Sequence, residues 1–442
     1  MQDDSTTLTD KETEEIRMNA FDKVIGYETI KNELLQICDM LHNKKVYEGL
    51  GAKLPQGVLL YGDPGLGKTL MAKSFIEESG IGAYTVRRNK GNDDFIGVIT
   101  DTFAKARENA PAIVFLDDMD KFANEDDDHR DAEEYVAVQS GIDEVKDCDV
   151  FVLATANDIR KLPKSLIRTG RFDRKIMVQR PTENDADSII RHYLSDKKVA
   201  DTVNMEDLAK MISYSSCAEL ETILNEAAIN AAFQRKEKIE TEDLVKAVLR
   251  MQYNSPDDLN KSSDEDKRKT ALHEAGHLVV SEVLVPGSVG LASIRPTGRN
   301  PVGGFIHSCK DLTRRPYQIL VSLAGKAAAE LYYSETCASG CCSDISKAVQ
   351  LIRDGLSDNG THGFGMVDVS GDFEGISECQ NSRSEAVIQA ELERYFFKAK
   401  DILLKNRAFL EAVTEALGEK ETLLYSDISK LRNNAEIFEV AV

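Results

Sequence analysis

The stretch VLLYGDPGLGKTLMAKSFIEE, starting at Val58, restricts the fold more than any other part of the chain. An apolar run of strand length enters a glycine-rich loop, which opens directly into an apolar-periodic helix. Gly62, Gly67, Lys68 and Thr69 satisfy the pattern G-x4-G-K-T. In that setting the glycines let backbone N–H groups converge on an anion at a helix N-terminus. We read Gly62, Asp63, Pro64, Gly65, Leu66, Gly67, Lys68, Thr69 and Leu70 as a phosphate-binding loop. Lys68 reaches the outer phosphate charge and Thr69 offers a hydroxyl to Mg2+. The expected ligand is ATP or a close relative.

Two further apolar runs, AIVFL (112–116) and VFVLA (150–154), are separated from the first by helical patterns, the signature of buried parallel strands in an α/β domain. The second run ends in DDMD. Asp117 is assigned to the metal ion and Asp118 to the attacking water, against the plainer reading of strand-terminal carboxylates facing solvent. The third leads to Asn157, placed to hold the lytic water or the γ-phosphate, and then to Arg168 and Arg171 on a turn. By themselves those two arginines are only a solvated face.

At 442 residues the chain exceeds one typical core. We divide it into a tail (1–15), a large α/β subdomain (16–181), a helical lid (182–252), a linker (253–267) and a mainly helical domain (268–442) that includes a single helical pattern from Ser384 to Leu417. A net charge of −21 argues against nucleic acid as the main partner. No apolar run approaches the ~20 residues of a membrane span, and the acidic, polar N-terminus lacks the features of a secretory signal. The expected location is the cytoplasm. Eight irregularly spaced cysteines do not make a disulfide framework, and CASGCC reads as free thiols.

The segment TALHEAGHLVV (270–280) poses the main functional question. His273 and His277 stand four residues apart on one helical face, so both rings can meet one Zn2+, with Glu274 as general base toward water. The alternative is two polar residues on an ordinary helix. A third ligand would come from Glu330, Asp344, His307 or the cysteines near 341.

Seven segments, DPGLGKT, AIVFLDDMD, LIRTGRFDR, LNEAAINAA, HEAGH, LAGKAAAE and SDISKAVQLIR, occur in the order and approximate spacing of one family. Residues 17 to 437 resemble the cytosolic part of the FtsH family of ATP-dependent zinc metalloproteases, in which an AAA+ module feeds unfolded protein into a fused peptidase. The resemblance implies a homohexameric ring with Arg168 and Arg171 as fingers reaching a neighbour's ATP. It implies Asp344 as the third zinc ligand. In DDFIGV it implies a pore loop, with Phe95 gripping substrate and Gly97 allowing the turn; read without the resemblance, Phe95 is a core residue. The strand containing GGFIHS resembles the edge that pairs with the substrate main chain; a structural hairpin is the alternative.

The chain also departs from that family. Two N-terminal transmembrane helices are missing, so we expect either a truncated chain or a natural soluble form, the MQDD start favouring the latter, and membrane proteins are not the expected main substrates. Asp118 stands where the family has Glu, withdrawing the carboxylate by one methylene. NEDDDHRDAEE is acidic where relatives are glycine-rich. The expectation is an ATP-dependent zinc metalloprotease acting on unfolded or tagged proteins, with Zn2+, ATP and Mg2+ and with membrane association only through partners. The competing reading is a nonproteolytic AAA+ unfoldase or regulatory scaffold with weak ATP hydrolysis.

Overall fold

Strands that are apolar on both faces need cover on both faces, and the first three apolar runs of this chain receive it. The structure is a computed structural model that describes residues 20–88, 94–123, 132–256, 263–298, 303–333, 338–359 and 378–440. It divides into two compact units, one made of residues up to 192 with 215–220, the other of 193–214 and the chain from 221 onward.

In the first unit, α1 (Glu28–His42) and α2 (Lys44–Gly49) precede β1 (Gly57–Tyr61), α3 (Lys68–Ser79), β2 (Gly82–Val86), α4 (Phe95–Glu108), β3 (Ala112–Leu116), α5 (Ala132–Glu144), β4 (Val150–Ala156), β5 (Arg174–Met177) and the start of α6 (Glu183–Leu194). The five strands form a parallel sheet in the order β2-β3-β4-β1-β5. Every residue of β3 and β4 is buried. Because the strands are parallel, the carboxyl ends of β1, β3 and β4 lie on one edge, where such sheets bind ligands. β2 and β5 are additional to the three expected strands. They sit at the sheet margins with mostly exposed side chains, so they carry no apolar run to betray them.

The second unit contains α7 (Met205–Met211), most of α8 (Cys217–Phe233), α9 (Thr241–Tyr253), α10 (Asp264–Leu284), β6 (Val289–Ser293), β7 (Phe305–Ser308), α11 (Arg315–Tyr332), α12 (Ala338–Asn359), α13 (Glu378–Lys405), α14 (Arg407–Lys420), β8 (Thr422–Leu424) and α15 (Tyr425–Asn434). Ser263 caps α10, its hydroxyl accepting from the Asp266 N–H, and three acidic residues occupy the first turn where the helix dipole favours them. From Ala271 to Val283 this helix is buried on nearly every side, in a core it shares with Leu320, Leu323, Leu403, Phe409 and Leu410. β6 lies between β7 and β8 in a small antiparallel sheet, leaving β7 at an edge.

The single helical pattern expected from Ser384 to Leu417 is broken into α13 and α14 at Asn406. Its buried side chain donates to the carbonyls of Ile402 and Phe438 and accepts from the Phe438 N–H. The break is thus fixed by a partner distant in sequence. Among the described residues, no helix is long and apolar enough to cross a membrane. The acidic residues 124–131 lie outside the described residues, as do 257–262 of the expected linker.

Candidate functional site

At the carboxyl edge of the parallel sheet, the phosphate loop joins β1 to α3, whose N-terminus has no side-chain cap. Its first backbone donors are therefore left to an anion. Lys68 is buried, and its ammonium donates to the carbonyls of Gly62 and Asp63 and to Asn157 Oδ1, at 2.7–2.9 Å. Burial pushes it below its ordinary pKa, against the carboxylates of Asp118 and Asp120. A buried ammonium held on neutral oxygens beside open N–H donors is a fitting receptor for polyphosphate. Thr69 donates to Asp117 Oδ1 at 2.9 Å, so the two groups assigned to Mg2+ already face each other.

Sequence reading passed over Thr155. Its hydroxyl donates to Asp117 Oδ1 and accepts from the Asp118 N–H, fixing both acids at the end of β3. A lone hydroxyl in the apolar run VFVLATA was the available signal, because a buried hydroxyl requires partners. Asp118 itself has left-handed backbone angles, and its carboxylate takes a 2.7 Å hydrogen bond from Lys121.

Two residues with expected roles point inward in this single chain. Arg171 is 2% exposed; its guanidinium clamps Asp143 through two hydrogen bonds and also donates to the Ser165 carbonyl. It cannot project toward a neighbouring subunit while that pair holds, whereas Arg168 is exposed. Phe95 is 5% exposed and packs edge-on against Phe122, centroids 5.3 Å apart. Asp94 caps α4 by accepting from Gly97 N–H, which places Phe95 at the first helical position facing the core and Gly97 inside the helix rather than in a turn. The exposed apolar side chains of this segment are Ile96 and Val98.

In the second unit, α10 supplies His273, Glu274 and His277, and α12 supplies Asp344. His273 Nε2 and His277 Nε2 are 3.1 Å apart, and Asp344 Oδ2 lies 3.1 Å from the first and 3.3 Å from the second. Among the described residues this is the one group of three or more side chains arranged to hold a metal ion. Glu330 pairs instead with Lys326 and Lys400, and His307 lies in a separate network. Cys341 and Cys342 are free thiols, the former in hydrogen-bond contact with His273, while Cys337 lies outside the described residues.

The donor chemistry fits a divalent cation. His277 Nδ1 is 2.6 Å from the Val321 carbonyl, which can only accept, so Nδ1 carries a proton and the lone pair of a neutral ring sits on Nε2. That lone pair points at another imidazole nitrogen and a carboxylate oxygen. Three acceptors converging in this way need positive charge between them. Without a metal a proton must serve. Burial acts to lower His273, but the Asp344 hydrogen bond holds it up at about 8. Burial likewise acts to raise the Asp344 carboxyl, but the two imidazoles keep it well below the usual carboxylate range.

Close packing shapes the surroundings. A Cβ on Gly325 of α11 would lie 2.5 Å from both His273 Cε1 and His277 Nε2, so only glycine permits this approach. Glu274 is 4% exposed, and burial pushes its carboxyl up from the ordinary range. Its side chain packs against the backbone of Gly304, where an added Cβ would strike Glu274 Cγ at 2.7 Å. Gly304 immediately precedes edge strand β7, so the carboxylate lies beside that strand. No spacing in the sequence ties Gly325 or Gly304 to the histidines and Glu274.

His307 of β7 sits between Ser213 Oγ, 2.9 Å from Nε2, and the Tyr253 hydroxyl, 2.7 Å from Nδ1. Burial pushes its pKa from the ordinary 6.5 to about 4. Between those values the unfolded chain takes up a proton that the folded one refuses. Stability is therefore full above pH 6.5 and falls as pH drops to about 4, by about 3 kcal/mol for this residue. NMR of the His307 ring should show a neutral imidazole at about pH 5; a ring already protonated at about pH 6 would refute its placement.

Two family models match the chain: the ATPase family associated with various cellular activities over residues 58–180, and peptidase family M41 over residues 260–431. An ATP-dependent zinc metalloprotease FtsH of Leptotrichia buccalis is 31% identical over 437 residues, covering 93% of this chain and 56% of that protein. One from a Sulfurovum species is 33% identical over 384 residues, 82% of this chain and 56% of the relative. FtsH 3 of Symbiobacterium thermophilum is 31% identical over 456 residues, 95% of this chain and 72% of the relative. The chain thus spans just over half the length of the first two and nearly three quarters of the third.

Proposed function

This chain belongs to the FtsH family of ATP-dependent zinc metalloproteases, and from that premise we propose that it uses ATP to unfold protein substrates and then hydrolyses their peptide bonds. The observation that carries the reading is the convergence of His273, His277 and Asp344 beside buried Glu274 in a chain that also has a phosphate loop. The two histidines and the aspartate would hold Zn2+, which when bound would supply the Lewis acidity that makes water nucleophilic near neutral pH. Glu274 takes the proton of the attacking water and returns it to the leaving amine. Close packing of Gly304 on the Glu274 side chain keeps the carboxylate in place. The free edge of β7 receives the substrate as an added strand, so recognition rests on main-chain bonds and sequence preference is weak.

At the other site, Lys68 and the loop N–H groups bind the phosphates of ATP, Thr69 and Asp117 hold Mg2+, and Asp118 and Asn157 orient the attacking water. The protein works in the cytoplasm as a homohexamer, exposed Arg168 reaching the neighbouring ATP while Arg171 positions the turn through Asp143. Substrates are unfolded or tagged proteins.

The test is degradation of a casein-type substrate with ATP, with a nonhydrolysable analogue and with a zinc chelator in parallel. Cleavage that needs ATP and is lost with chelator is expected. No cleavage by zinc-loaded oligomer in ATP would leave the nonproteolytic unfoldase as the better reading. A second expectation concerns Asp118, whose carboxylate is one methylene short and held by Lys121. Asp118→Glu should raise ATP turnover by about tenfold, because alignment of the attacking water is steeply sensitive to distance; phosphate release at an unchanged rate would remove Asp118 from the water-orienting role.

A further inference from the structure

The mechanism above leaves His307, half-buried on β7, without a task. Along β7, side chains alternate between faces: Ile306 packs against the peptidase core, while Phe305 and His307 turn the other way. There they meet two residues of the helical segment that precedes the peptidase. Phe305 stacks on Tyr253 at the end of α9, ring centroids 3.8 Å apart and planes inclined by 21°. His307 bridges the hydroxyls of Tyr253 and Ser213. A neutral imidazole has one N–H and one lone pair, and each hydroxyl can donate or accept, so the bridge is fully satisfied. Such specific polar pairing does more than fill space, since an apolar side chain at His307 would pack without it.

Both ends of this clasp lead to chemistry. In one direction, three residues before His307, Gly304 packs directly on Glu274, where an added Cβ would meet Glu274 Cγ at 2.7 Å. In the other, Ser213 is joined covalently, through Tyr214 in a left-handed conformation, to residues bonded to the phosphate loop: the Ala218 N–H donates to the Gly65 carbonyl at 3.1 Å. A Cβ on Gly65 would touch Ser216 Oγ and Ala218 Cβ at 3.1 Å, so the loop and the start of α8 are in direct contact. Gly65 belongs to the phosphate loop, so a shift of the loop would bear directly on the residues it touches, Ser216 and Ala218.

We propose that Ser213, Tyr253 and His307 are positioning residues that carry the nucleotide state of the phosphate loop to strand β7, and through Gly304 to Glu274. The inference rests on the protease reading for its consequence, because β7 is there the substrate-binding edge. Peptide hydrolysis is then efficient only in one nucleotide state, so the blade is coupled to the motor and idle proteins are spared.

The test uses the full chain, zinc-loaded, as wild type, Ser213→Ala, Tyr253→Phe and the double variant. Tyr253→Phe keeps the stack on Phe305 and removes only the hydroxyl. Hydrogen exchange of amides 303–308 is compared in ADP and in a nonhydrolysable ATP analogue, and kcat and KM for a short fluorogenic peptide are measured in ADP and in ATP. In wild type we expect protection of β7 to differ between nucleotides by about fivefold or more, with kcat changing in step. In the double variant both differences should shrink below about twofold while ATP turnover and zinc content are kept. Restoring Ser213 alone should recover part of each difference. Undiminished nucleotide dependence in the double variant, or none in wild type, overturns the proposal. If zinc-loaded wild type cleaves no peptide, the protease reading fails, and the exchange comparison still decides the coupling.

Discussion

Replacing Glu274 by Gln should reduce peptide hydrolysis by about 10²–10⁴-fold, the usual contribution of a general base, with zinc and ATP turnover unchanged. The substitution is isosteric, and the site is 4% exposed, so a change of volume would be felt while this one is not. The carboxamide has the same shape and still packs against Gly304, so it stays where the carboxylate was. What disappears is the capacity to take a proton from water. Steady-state cleavage of a fluorogenic peptide, with zinc measured on the same sample, checks this. A variant that keeps more than about a tenth of wild-type kcat would show that Glu274 is not the base.

Gly325→Ala should cost the protein its metal. The added methyl would stand 2.5 Å from atoms of both His273 and His277, well inside contact distance. Those rings cannot retreat freely, since His277 is tied to the Val321 carbonyl four residues earlier on α11. We expect the ring positions to give way, with zinc affinity falling by about 100-fold, at the upper end of what supporting residues contribute. The strain of overpacking should cost about 1–3 kcal/mol, leaving a folded protein by circular dichroism. Competition titration with a chromophoric chelator reads the affinity. Wild-type affinity in Gly325→Ala would mean that α11 does not shape the site.

The parts of the molecule legible in the sequence were those governed by local rules. β1, β3 and β4 announced themselves because strands buried on both faces must be continuously apolar. The phosphate loop did so because anion binding by backbone dictates glycine spacing, and His273 and His277 because four residues bring two side chains to one helical face. β2 and β5 stayed hidden at the sheet margins, where exposed side chains erase the pattern. The pause at Asn406 escaped detection because its partner Phe438 lies 32 residues away.

Side-chain direction was hidden for the same reason. Phe95 was assigned to substrate by family resemblance, yet its direction here is set by Asp94 capping α4 and by Phe122 in the core, as its residue type alone suggested. Arg171 was read as a projecting finger, yet Asp143, 28 residues earlier, folds it inward. A side chain's identity limits what it can do, but its neighbours decide where it points.

By itself the sequence determined the class of fold, the phosphate loop and the paired histidines with Glu274 between them, because each depends on the periodicity of a single strand, loop or helix. It left the third donor open among Glu330, Asp344, His307 and the nearby cysteines until family resemblance favoured Asp344. Only the tertiary structure brought Asp344 Oδ2 within 3.3 Å of both imidazoles, placed Gly325 against them and hung His307 between Ser213 and Tyr253. These are contacts between helices and strands far apart along the chain, and what brings them together is the burial of apolar faces, which local spacing does not encode.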